Sequence, residues 1–372
     1  MKHFFMVLAV VLLLGLSVAC GGAVSKLPEP VQTSTTAERG DGLTVVDALG
    51  RSTIFPEPPR RIIVAGRSTL TIVDALYMFP EAQERVVALV VGRQPVDAFL
   101  RLVDPAFDDK VLLEVEAGPE QIAPLEPDVV VLRSFMAERL GRSLETLDIP
   151  VVYVDLETPD RYFQDLELVG QLLGNEARAA EIRSFYRVRL DRVDESLQGL
   201  AEDQKPRVLL MQYSAQGSEI AFLVPSAEWI QTIETRLAGG IPAWSEAAQA
   251  GGWTVVSLEQ VAAWDPDQVF VIAYQSASDE VVRKLKSDPQ WQGLRAVREA
   301  SIYGFPADIV SWDQPDPRWI LGLTWLAGKM HPAHFPDLDM SWEMAQFFEQ
   351  LYRMESTVVE QRILPVLKGD LE

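Results

Sequence analysis

The 372-residue chain has one cysteine, three histidines and no long apolar run beyond its first twenty residues. A single cysteine, Cys20, excludes an internal disulfide. Bases are scarce relative to acids, 33 against 54, which gives a formal charge of −21. That balance lacks the basic footprint needed to hold nucleic acid. It suits solubility and does not exclude a local cationic pocket. Catalytic signatures are absent too. There is no G-x-S-x-G elbow, no phosphate-binding G-x-x-x-x-G-K-[ST] loop and no G-x-G-x-x-G. His331 and His334 flank Pro332 without a recognisable metal-ligand spacing and read as surface residues. No enzyme is expected, and no cofactor.

What is present begins with a targeting segment. Lys2 precedes an apolar run, Phe4 to Leu16, too short to span a bilayer and laid out as a secretory signal. Leu16-Ser17-Val18-Ala19-Cys20-Gly21-Gly22 resembles the bacterial lipoprotein signal, in which cleavage exposes the cysteine for lipid attachment. Ser17 stands where that pattern has an aliphatic residue. The expectation is residues 1–20 as signal, Cys20 as lipid site and an extracytoplasmic domain anchored to the membrane. Residues 21–42 lack apolar periodicity and read as a tether.

An internal echo organises the rest. Glu120-Gln121-Ile122-Ala123, then Pro127-Asp128 and Val129 to Leu132, recurs as Glu259-Gln260-Val261-Ala262, then Pro266-Asp267 and Val269 to Ile272. Each copy reads as a short helix, a Pro-Asp turn and a buried strand. Further strands are expected at Ile62–Ala65, Val86–Val91, Val151–Val154, Val208–Met211 and Ile302–Phe305. Strands alternating with helices predict an α/β fold with two similar parallel-sheet lobes. The boundaries are 43–159 for the first lobe, 160–204 for a helical connector pausing at Gly174-Asn175, and 205–372 for the second lobe. Ala177, Ala180, Ile182, Phe185, Val188, Leu190 and Val193 are expected to form the connector's apolar face. Such a connector is stiffer than coil, so the ligand cleft between the lobes should close only slightly.

In parallel sheets, ligands gather beyond the carboxyl ends of strands. Three such ends in the first lobe carry Arg67 (with Ser68), Arg93 and Arg133. If their loops converge, they form an anion-binding face. The second lobe offers aromatics instead. Trp312 sits in a Pro-rich loop after a strand, and Tyr213, Trp253 and Tyr274 lie on other loops. An arginine lobe facing an aromatic lobe suits an anion with a flat or apolar part.

Leu43 to Arg51, with its D-x-x-G turn at Asp47–Gly50, and Pro58-Pro59-Arg60-Arg61-Ile62-Ile63-Val64 resemble the opening of the substrate-binding lipoproteins of iron-siderophore and vitamin B12 type ABC importers. Asp148-Ile149-Pro150-Val151-Val152 is similar to that family's G-I-P-V segment, with Asp148 replacing glycine. Gly322 to Ala327 resembles its C-terminal helix. The resemblance covers nearly the whole mature chain. It implies two lobes joined by a long helix, a ligand in the cleft, and a partner of two permeases with two ATPases. It also implies docking through one acid on each lobe, for which Glu81 or Glu84 and Glu234 are candidates. The implied ligands are ferric siderophores or haem, with cobalamin or molybdate and tungstate as alternatives. A chelatase-like surface enzyme on the same scaffold is the alternative of another class.

Overall fold

The computed structural model describes residues 42–91, 96–216 and 219–371. Cys20 and Arg93 lie outside them. No helix among the described residues is long and apolar enough to cross a membrane. The chain opens with a hairpin, β1 (Leu43–Val46) against β2 (Ser52–Phe55), in antiparallel register. Its turn is closed by Asp47, whose Oδ1 accepts the N–H groups of Leu49 and Arg51, both at 3.0 Å. Gly50 takes φ +75°, where a side chain is disfavoured.

The first large sheet contains β3 (Ile62–Val64), β4 (Val86–Val90), β5 (Val111–Leu113), β6 (Val129–Arg133) and β7 (Val151–Val154). Their order is β5-β4-β3-β6-β7, all parallel. β6 and β7 are buried at every position, as a sheet covered on both faces requires. Asp148 precedes β7 with φ +57°. Aspartate tolerates this left-handed conformation, which explains how it replaces the family's glycine.

The second sheet holds β8 (Arg207–Gln216), β9 (Glu219–Val224), β10 (Ile241–Pro242), β11 (Thr254–Val256), β12 (Gln268–Ile272) and β13 (Ile302–Gly304). β8, β12 and β13 are parallel, and β10 pairs with β8 in the same sense. β9 and β11 extend the sheet antiparallel. The second lobe therefore has a parallel core with an added antiparallel edge. The alternation of strands with helices gives no sign of these two edge strands.

The echoed segments do equivalent work. After each short helix a residue turns left-handed, Glu126 at φ 48° and Asp265 at φ 43°. Asp128 Oδ2 then accepts the N–H groups of Arg60 and Arg61 at 2.8 and 2.9 Å. Asp267 Oδ2 accepts that of Arg207 at 2.7 Å. Each aspartate thus ties the start of its own strand to the neighbouring one, β6 to β3 and β12 to β8.

Two helices, Pro159–Leu172 and Glu176–Ser196, join the sheets. Pro159 stands at N1, where its missing N–H costs nothing. The Asn175 side chain caps the longer helix by accepting from Arg178 N at 3.0 Å. This helix buries Ala179, Ile182, Phe185, Tyr186, Arg189 and Val193. Ala177, Ala180 and Val188 face outward, Val188 at 63 % exposure. The face is rotated from the expected one because Tyr186 and Arg189 have buried partners. Tyr186 OH donates to Pro317 O at 2.6 Å, and Arg189 pairs with the buried Glu343 at 2.9 Å.

The sheets also meet through a buried ion network. Arg318 is fully buried. Its Nη1 donates to Asp74 Oδ2 at 2.6 Å, on the helix Leu70–Tyr77 that follows β3. Its Nε reaches both oxygens of Asp308, at 2.8 and 2.9 Å. Phe99 lies against the guanidinium, 4.6 Å from its centre. Burial pushes the Asp74 carboxyl up to about 6, even beside Arg318. Arg318→Met leaves two buried carboxylates without their counter-charge, which should cost about 3–5 kcal/mol of unfolding free energy. Urea denaturation at pH 7 measures this. A loss below about 1 kcal/mol would show that the network does not join the lobes energetically.

Candidate functional site

A cavity of about 830 Å³ opens where the carboxyl ends of both sheets face each other. In the first sheet, β3 leads to β4 on one side, while β6 lies on its other side. This is a topological switch point, the expected place for a ligand. The loop after β3 turns through Gly66 at φ +84° and Ser68 at φ 55°. A Cβ on Gly66 would approach Met136 Cε at 3.1 Å, so this tight turn favours glycine. Ser68, Thr69 and Leu70 then line the cavity.

β6 delivers Arg133, Ser134 and Phe135. Arg133 is 4 % exposed. Its Nη1 donates to Thr71 Oγ1 at 3.0 Å and its Nη2 to Glu157 Oε2 at 2.5 Å, while its Nε finds no acceptor. β7 delivers Asp155 and Glu157. Asp155 accepts from Ser134 Oγ at 3.0 Å and pairs with Arg161. The turn between the two acids passes through Leu156 at φ 53°. Asp165 holds that turn, accepting the N–H groups of Asp155 and Leu156, each at 2.7 Å.

The second lobe supplies an aromatic wall. Trp229, Trp253 and Tyr274 line the cavity. The Trp229 and Trp253 rings meet edge to face at 5.7 Å, and Trp253 meets Tyr274 at 6.4 Å. The Tyr274 ring is partly exposed, but its hydroxyl donates inward to the fully buried Asp313 at 2.6 Å. Gln231 Nε2 and Ser311 Oγ donate to the same carboxylate, at 3.1 and 2.5 Å. Burial, followed by the Asp313 charge, pushes the Tyr274 hydroxyl well up, so it remains a donor.

Of the residues singled out from sequence, Ser68, Arg133, Trp253 and Tyr274 line the cavity. Arg67 does not. Its guanidinium is drawn outward onto Glu116, with Nη2–Oε1 at 2.5 Å, and Arg139 joins the same carboxylate at 2.6 Å. The hydrogen bond from Arg67, helped by the charge of Arg139, lowers the Glu116 carboxyl below its usual range. The described residues therefore do not assemble a face of converging arginines. Trp312 is fully buried and donates Nε1–H to Asp308 at 2.9 Å. It packs beneath the loop instead of lining the cleft. Tyr213 is buried beside Phe222, and its hydroxyl accepts from Lys284 at 3.0 Å, away from the cavity lining.

The docking candidates separate in the same way. Glu84 is exposed, and Glu81 is half-buried, accepting from Asn175 Nδ2 at 2.7 Å. Glu234 is fully buried, and neither carboxyl oxygen has a protein partner. Burial, with Asp313 and Asp316 nearby, pushes its carboxyl well up and keeps it protonated. An acid buried inside the fold does not reach a partner's surface, which contradicts Glu234 as a docking residue. His331 is also buried, against Gly239 O at 3.2 Å, contrary to its surface reading, while His334 is exposed. No cluster of three or more His, Cys, Asp or Glu able to hold a metal occurs among the described residues.

Sequence reasoning missed Trp229, Asp155 and Glu157 as cavity residues. Both acids come directly after β7, so the strand-end rule reaches them. Trp229 precedes the helix Ile230–Leu237, beyond the antiparallel strand β9 that was not recognised.

A cavity between the carboxyl ends of two sheets is the layout of a solute-binding site. Residues 106–309 match the periplasmic binding protein family, and the chain belongs to that family. It is 25% identical to the iron-uptake system-binding protein of Bacillus subtilis, across 82% of this chain and 90% of that one. It is 21% identical to the molybdate-binding protein MolA of Haemophilus influenzae, across 83% and 90%. A periplasmic solute-binding protein from Veillonella parvula shares the fold, with a TM-score of 0.69 and 20% identity, covering 87% of this chain and 97% of that one.

Asp165 yields a pH prediction. Burial raises its carboxyl to about 6, although two backbone N–H groups pull the other way. A carboxyl raised in the fold stabilises fully below its unfolded value and loses that contribution as pH rises through the folded one. The window runs from about pH 4 to about pH 6, and the contribution is at most about 3 kcal/mol. Asp165→Asn should lose this part of the pH dependence when denaturation midpoints are compared between pH 4 and pH 7. An identical slope in both proteins would contradict the assignment.

Proposed function

We propose that the chain is the extracytoplasmic solute receptor of an ABC importer for a bulky metal chelate, a ferric siderophore or haem. The observation that carries this reading is the cavity of about 830 Å³ with three aromatic side chains on one wall. That volume falls within the range of organic-ligand sites and far exceeds a tetrahedral oxyanion. The aromatic rings offer apolar area at small entropic cost, suited to an organic chelator shell. The iron-uptake relative supports this ligand class, whereas the molybdate-binding relative keeps an oxyanion as the second reading. Cobalamin fits the cavity argument on the same terms. A catalytic role finds no support in the cavity, where the titratable side chains are engaged in ion pairs and hydrogen bonds.

In this reading the lobes are 43–159 and 205–372, with 160–204 as connector. Cys20 carries the lipid, and Glu81 or Glu84 contributes the first-lobe contact to a permease dimer with its ATPases. The receptor acts as a monomer.

Differential scanning fluorimetry of the full chain in detergent against ferric siderophores, haem, cobalamin and molybdate tests the assignment. A ligand at 100 times its Kd adds about 2.7 kcal/mol, which moves Tm by several degrees. Trp253→Ala should weaken the best ligand by about tenfold or more, with the affinity compared at a temperature where both proteins are folded, because Trp253 also packs against Trp229 and Tyr274. Absence of a shift with every compound would contradict the proposal. A shift with molybdate alone would favour the oxyanion reading.

A further inference from the structure

Arg133 is the one guanidinium among the described residues that line the cavity. A guanidinium recognises an oxyanion through parallel N–H donors. Here each terminal nitrogen gives one N–H, to Thr71 and to Glu157, while Nε finds no protein acceptor. An incoming anion meets a guanidinium whose charge Glu157 already balances. It would then lie beside both Glu157 and Asp155, the second of which also lines the cavity. Each carboxylate is itself paired, Glu157 with Arg133 and Asp155 with Arg161, so the described lining offers an anion no unbalanced positive charge.

Glu157 is also held where it is. It stands between the left-handed Leu156, pinned through Asp165, and Thr158, the extended N-cap of the helix Pro159–Leu172. Its side chain is 32 % exposed, so it faces both Arg133 and the cavity. Across from it, Trp229, Trp253 and Tyr274 present π faces and edges, which favour flat or cationic groups.

We infer that Glu157 is a charge filter: by neutralising Arg133 it makes the cavity favour neutral or cationic solutes over oxyanions, which within the proposed ligand class selects neutral or cationic ferric chelates over haem with its two propionates. This deepens the receptor reading and rests on it. The arginine-based anion site expected from sequence is thereby replaced by an internally neutralised one. Glu157 acts as a specificity-determining residue, and Arg133 as the group it satisfies.

Isothermal titration of the full chain tests the filter with three probes: ferrioxamine B, which carries an ammonium group, and the anions ferric citrate and molybdate. In the wild type, both anions should bind at least tenfold more weakly than ferrioxamine B. Glu157→Gln keeps an acceptor for Arg133 but removes the charge, and should gain at least tenfold for ferric citrate. Failure of either result overturns the filter. The wild-type comparison does not depend on how the variant folds. A wild type that binds ferric citrate tightly overturns the filter and leaves the receptor reading standing. No binding of any probe by either protein overturns the filter, and the fluorimetry panel then decides the receptor reading separately.

Discussion

The buried guanidinium of Arg318 is the constraint on which the arrangement of the two sheets depends. It stands on the second lobe's side, yet it donates to Asp74 of the first and Asp308 of its own. A charge taken wholly out of water is tolerable only if its partners stay in place. Sliding one sheet past the other would strand at least one ion. The apolar core reinforces this, because a single cluster of buried side chains runs from β3 through the connector helices to β12. The cleft walls are therefore preset, and a solute meets a formed cavity more than it shapes one.

That preset geometry explains how loops from distant parts of the chain meet. β3, β6 and β7 end side by side because the Pro-Asp unit locks β6 to β3 and β7 joins β6 in parallel. The polar lining is then set by the residues just beyond each strand: a glycine turn, an arginine, a pair of acids. On the other side, Asp313 gathers Tyr274, Gln231 and Ser311 around one buried carboxylate, which fixes the tyrosine's orientation. Charge at the site is balanced internally, so discrimination among solutes falls to shape, aromatic surface and the sign of the solute's own charge.

Much of this was legible in the sequence. Strand positions could be read from β-branched runs closed by polar loops, and the repeated Pro-Asp unit identified two related halves. Arg133 was found because a strand end is a local feature, and Trp253 and Tyr274 because they are aromatics on second-lobe loops. Arg67 and Trp312 satisfied the same rule but left the cavity, one for Glu116 and the other for Asp308. Those partners lie elsewhere in three dimensions or within a loop whose path periodicity does not reveal. The Arg133–Glu157 pair joins residues 24 apart on adjacent strand ends, and only the parallel pairing of β6 with β7 brings them together. Glu234 was a docking candidate only through the family resemblance, which does not reveal its burial. Its burial depends on packing against the loop that contains Asp313.

The central claim is that a bulky chelate sits between the carboxyl ends of the two sheets. A crystal structure grown with the ferric chelate that most raises Tm, with anomalous data at the iron edge, tests it most directly. The account predicts an iron peak inside the cavity, between Arg133 and the Trp229–Trp253 pair. An iron peak outside that cavity, or a cavity left empty beside bound chelate elsewhere, would contradict it.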